Sequence, residues 1–113
     1  MEFTEALRRF GFVTDRQRSV GRSDAKLFTA QPNMFMTYSV YAYGDGSAMF
    51  SWEFALGEFL ARLGIQVGSD ETLNQFMYPR HDLRGVQDGL WLAGAIEQTE
   101  TMLASLRFDR IAP

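Results

Sequence analysis

Ala48-Met49-Phe50-Ser51-Trp52-Glu53-Phe54-Ala55-Leu56-Gly57-Glu58-Phe59-Leu60-Ala61-Arg62-Leu63-Gly64 is the stretch whose reading decides the fold. It reads as a short strand, Ala48 to Ser51, running straight into a helix from Trp52 to Leu63. Trp52, Ala55, Leu56, Phe59, Leu60 and Leu63 recur at the i, i+3, i+4 spacing of one apolar helix face. Glu53, Glu58 and Arg62 fall off that face. Ser51 is placed to cap the first turn through its hydroxyl. Gly64 stands where a left-handed residue ends a helix, with Ile65 folding back onto Leu60.

Upstream, Met34 to Tyr43 alternates in the period of a strand. Met34, Met36, Tyr38, Val40 and Ala42 share one face; Phe35, Thr37, Ser39, Tyr41 and Tyr43 share the other. Both faces are partly apolar, which marks a central strand. Gly44-Asp45-Gly46-Ser47 supplies a tight hairpin turn. Lys26 to Gln31 makes a further strand, closed by a Pro32-Asn33 turn. Three strands in sequence form an antiparallel meander. Phe3, Ala6, Leu7 and Phe10 form a short helical stripe that stops at Gly11, with Phe12 returning to Leu7.

Downstream, Ile65 to Val67 reads as a short strand. Ser69 caps a short helix with Leu73, Phe76 and Met77 on its apolar face, stopped by Pro79. Arg80 to Gly89 reads as a charged loop. Asp88 then caps a final helix over Leu90 to Leu106, with Leu92, Ala95 or Ile96, Thr99, Leu103 and Leu106 as its stripe. The fold class is α+β: a three- or four-stranded, mostly antiparallel sheet against two longer helices, with two short ones, in a single domain over residues 1–113.

A chain of 113 residues can bury a core without staples. It has no cysteine, which excludes disulfides and thiolate metal sites. No apolar run reaches the ~18 residues of a membrane span. The first residues lack the basic start and apolar stretch of a signal peptide. The sequence therefore reads as cytoplasmic with no membrane partner. The net charge of −3 implies no partner by itself. Ten Arg against one Lys suggests a GC-rich coding sequence, hence a bacterial or phage origin.

Candidate chemistry is sparse. The stretch Tyr78-Pro79-Arg80-His81-Asp82-Leu83-Arg84 holds the one histidine. His81 with Asp82 is a candidate acid–base pair, and Arg80 with Arg84 a candidate anion site. No nucleophile motif accompanies them. With one histidine and no cysteine, metal binding would fall to carboxylates. Glu53 with Glu58 diverge on a helix, and Glu97 with Glu100 lack the histidines of a di-iron motif. Gly44-x-Gly46 and Gly85-x-x-x-Gly89 lack the Lys-Ser/Thr of a phosphate loop. No cofactor is expected. Arg8, Arg9, Arg16, Arg18 and Arg22 form a basic cluster that could meet nucleic acid beside Tyr41 and Tyr43. A pI of about 5.0 weighs against that as the main task.

The unusual feature is the richness in Phe and Met. Phe35, Tyr41 and Tyr43 would form an apolar–aromatic face left partly uncovered by the helices, of the kind that marks partner surfaces. The order of elements, ending in the helix Leu90–Leu106, resembles the small α+β fold of type III secretion chaperone-like proteins. That resemblance implies a sheet packed on helices and a dimer, and it carries no functional residue across. The leading reading is a non-catalytic protein-interaction protein: a chaperone, inhibitor, immunity protein or complex subunit that binds a protein partner, its own copy as a homodimer included. The alternatives are a small enzyme or small-molecule binder using Arg80, His81, Asp82 and Arg84, and a nucleic-acid accessory protein using the N-terminal arginines.

Overall fold

The computed structural model describes residues 2–14, 25–64 and 81–105. The loop expected over residues 15–24 and the strand and short helix expected over 65–79 lie outside them. So do Ile65, Arg80, Leu106 and the arginines at 16, 18 and 22.

The described elements are helix α1 (Phe3–Arg9), strands β1 (Val13–Thr14), β2 (Lys26–Asn33), β3 (Met36–Ala42) and β4 (Ser47–Phe54), helix α2 (Leu56–Arg62), strand β5 (His81–Val86) and helix α3 (Gly89–Ser105). The strands form one five-stranded antiparallel sheet in chain order, β1-β2-β3-β4-β5. The class is α+β, as the sequence indicates. The sheet is wider than the three or four strands expected, and among the described residues only α3 is a long helix.

The deciding stretch resolves differently from its helical reading. β4 does not stop at Ser51; it runs on through Trp52 to Phe54. Ala48, Phe50, Trp52 and Phe54 alternate onto one face, opposite Ala42, Val40, Tyr38 and Met36 of β3. Trp52 is 1% exposed and Phe50 fully buried. Burying two large rings in a paired strand outweighs local helical spacing. The helix starts only at Leu56, with Ala55 rather than Ser51 before it and no side-chain cap. Its end follows the sequence: Gly64 takes φ +83° and its N–H donates to Ala61 O at 3.0 Å. The matching end of α1 is complete. The Gly11 N–H donates to Arg8 O at 3.1 Å and the Phe12 N–H to Leu7 O at 2.9 Å, which is the Schellman pattern.

All three described helices contribute to one core on a single side of the sheet. Ala6 and Leu7 of α1 and Leu92, Ala95 and Ile96 of α3 meet Ala30, Met36, Tyr38, Val40, Phe50, Trp52 and Phe54, with Leu56 and Phe59 of α2 at the margin. The Tyr38 and Phe50 rings pack at a tilt, 5.3 Å between centroids. α3 begins where expected: the carboxylate of Asp88 accepts the Trp91 N–H at 3.1 Å, an N-cap on the third helical residue. Its stripe of Leu92, Ala95, Ile96 and Thr99 is buried. The Thr99 hydroxyl donates to Ala95 O at 2.9 Å. The β3–β4 turn is held by Asp45, whose carboxylate accepts the Ser47 N–H at 2.9 Å and its hydroxyl at 2.5 Å.

Residues 81–86, expected as part of a charged loop, form β5 on β4. The alternation there is weak, because Leu83 is the one bulky apolar residue facing the core. What places the strand is Trp91, whose indole packs directly on Gly85. No described helix is long and apolar enough to cross a membrane.

Candidate interaction surface

The face of the sheet away from the described helices is built in rows, because antiparallel register brings residues of successive strands side by side. One row runs Leu27, Tyr41, Met49, Arg84; the next runs Val13, Thr29, Ser39, Ser51, Asp82; a third holds Thr37 and Glu53. The middle row is hydroxyls in a line. Ser39 and Ser51 are 4% and 1% exposed, and the Ser51 hydroxyl has no hydrogen-bond partner among the described residues.

This is not the aromatic face expected from Phe35, Tyr41 and Tyr43. Phe35 does not belong to it. The chain turns at Met34 and Phe35, with the Asn33 side-chain oxygen accepting the Phe35 N–H at 2.9 Å. The turn thus falls two residues later than the Pro32-Asn33 position expected. It swings Phe35 onto Phe59 and Phe54, with centroids at 5.3 and 6.3 Å. The Arg62 guanidinium lies 5.8 Å over its ring. Strand alternation fails at Phe35 because the strand has not yet begun. Tyr41 is half-buried between Leu27 and Met49. Tyr43 sits at the hairpin turn, its carbonyl accepting the Gln87 side-chain amide at 2.5 Å and the Gly46 N–H at 3.1 Å.

The other candidate residues are separated by the same register. His81 pairs with Trp52 and Asp82 with Ser51, neighbouring positions on opposite faces of the sheet. Asp82 and Arg84 share one face, two residues apart and both exposed. Arg8 and Arg9 are exposed in the last turn of α1, where they complement the helix dipole. No group of three His, Cys, Asp or Glu that could hold a metal ion occurs among the described residues. Among the described residues one ionisation is strongly shifted. Burial, with the Glu100 carboxylate adding to it, pushes the Tyr38 hydroxyl up to about 12; it belongs to the core rather than to a site.

The surface feature that sequence reasoning missed is the β5 side of the molecule. Among the described residues β5 has a neighbour strand on one side only. Val86 on it is 57% exposed and Leu90, at the start of α3, 68%. Between the two elements runs an open groove of about 380 Å³ lined by Leu83, Leu90, Trp91, Gly94 and Gln98. Exposed bulk, a strand edge unpaired among the described residues and a groove thus occur together. The sequence signal was present in Val86 and Leu90, apolar residues bracketing an otherwise polar segment.

The chain was compared with protein-family models, with curated proteins and with solved structures, and none of them matches it.

Proposed function

We propose that this is a small non-catalytic protein-interaction protein that binds another chain through its sheet, with the β5 edge as the contact. The supporting observation is that β5, among the described residues, has a neighbour strand on one side only, with exposed Val86 on it and exposed Leu90 and a groove beside it. An unpaired strand edge offers a row of backbone donors and acceptors, and proteins recognise extended segments by adding a strand to such an edge. Chaperone, inhibitor, immunity protein and complex subunit share this description, in a bacterial or phage cytoplasm. The test is affinity capture from the native host on wild-type protein and on Val86→Asp and Leu90→Asp. A protein retained by the wild type and lost from both variants supports the reading. Equal retention by all three, or a small-molecule conversion lost on Asp82→Ala or Arg84→Ala, overturns it.

A further inference from the structure

We infer that the β5 edge pairs with the β5 edge of a second copy, antiparallel, about a two-fold axis at Leu83. Three observations carry this.

The first is hydrogen-bond parity. In an antiparallel ladder, pairs that exchange backbone bonds alternate with pairs that do not. Just past the last register pair, Ser47 with Val86, the Gln87 N–H donates to Gly46 O at 3.0 Å. Counting back in twos, Gly85 and Leu83 spend their backbone groups on β4. Asp82, Arg84 and Val86 aim theirs away from the sheet. A self-pairing strand must therefore set these residues opposite one another.

The second is charge. Three two-fold registers satisfy the parity near the middle of the strand. An axis at Arg84 sets Arg84 against Arg84. An axis at Asp82 sets Asp82 against Asp82. An axis at Leu83 sets Asp82 of each copy opposite Arg84 of the other, twice, on the same face. Opposite charges directly across a ladder stabilise it and like charges destabilise it. Charges on an edge ordinarily discourage pairing; here the pattern +/− two residues apart rejects the neighbouring registers and accepts one.

The third is the apolar margin. The axis at Leu83 sets the two Leu83 positions opposite each other on the helix side, where the groove with Leu90 and Trp91 opens. The exposed Leu90 lines that groove, so joining two copies there shields it. Closed two-fold pairing also uses up both edges and leaves no β5 to propagate a chain. The result is one continuous sheet of the ten described strands, in which the hydroxyl row ending at Asp82 of one copy runs into the row of the other that starts at Arg84.

The inference rests on the interaction reading but is tested separately, by self-association alone. Light scattering after size exclusion, over micromolar to submillimolar concentrations, reads the mass against the 12.9 kDa of one chain. Wild type should approach twice that mass. Asp82→Arg and Arg84→Asp, each alone, should weaken the dimer about tenfold or more. Mixed in equal amounts, the two variants should recover it, because one copy then carries two arginines and the other two aspartates. Both positions are exposed, and circular dichroism of each variant checks that it folds. A wild-type monomer throughout overturns the self-pairing, and if that monomer still retains a host protein the interaction reading stands. Single variants that dimerise as wild type, or a mixture that stays monomeric, overturn the register.

Discussion

The Trp91 indole lies so close to Gly85 that a Cβ on residue 85 would overlap its ring. Gly85→Ala should cost about 1–3 kcal/mol by overpacking, read as a lower urea midpoint at unchanged slope. In a double-mutant cycle with Trp91→Ala, most of that cost should vanish. Additive losses would show that the glycine serves something other than the tryptophan.

Phe50 is fully buried at the centre of the core, whereas Phe59 is half-buried at its margin. Phe50→Ala should cost about 3–5 kcal/mol and Phe59→Ala clearly less. Equal losses in chemical denaturation would place α2 deeper in the core than its packing on Phe35 and Phe54 implies.

The helix cap gives a smaller, cleaner number. Asp88→Ala removes the carboxylate that accepts the Trp91 N–H and should cost about 0.5–2 kcal/mol. Asp88→Asn or Asp88→Ser should recover most of it, since either side chain can accept the same bond.

Tyr38 makes a prediction in alkali. The unfolded chain releases this proton near 10.0 and the folded chain near 12. Between those values the unfolded state binds fewer protons, so stability should fall as pH rises through that window and be unaffected by Tyr38 below it. Ultraviolet titration should show a late-ionising phase that Tyr38→Phe removes. Glu100→Gln should lower its pKa while leaving it above normal, because burial is the larger cause.

Most of the sheet was legible because its strands alternate cleanly. Met36 to Ala42 and Lys26 to Gln31 sit where the period of two puts them, and α1 and α3 end or begin at Gly11 and Asp88 as their caps require. Trp52 was the ambiguous residue, since it satisfies the strand period of Ala48 and Phe50 and the helix spacing of Ala55, Leu56 and Phe59 at once. Pairing with Tyr38 decided the matter, and that is a tertiary contact. β5 was illegible for a related reason. Its residues have little alternation, and Gly85 is a poor strand former until Trp91 is seen to need the space. The interaction surface went astray at Phe35, where a turn reversed the face that alternation assigned. Asp82 and Arg84 were picked out, but as a catalytic or anion-binding loop. Only the register showed them side by side on a strand edge.

α1 packs against α3, and both are needed to cover the side of the sheet bearing Val40, Phe50 and Trp52. On the ribosome, the β2–β4 meander is complete once Phe54 has emerged, but its lid is the last described element to be made. At ~5–20 residues per second, the nascent chain carries that bare aromatic surface for roughly 3–10 s before Ser105 is reached. Aggregation during synthesis is set by that interval, and codons between Phe54 and Gly89 that slow translation lengthen it.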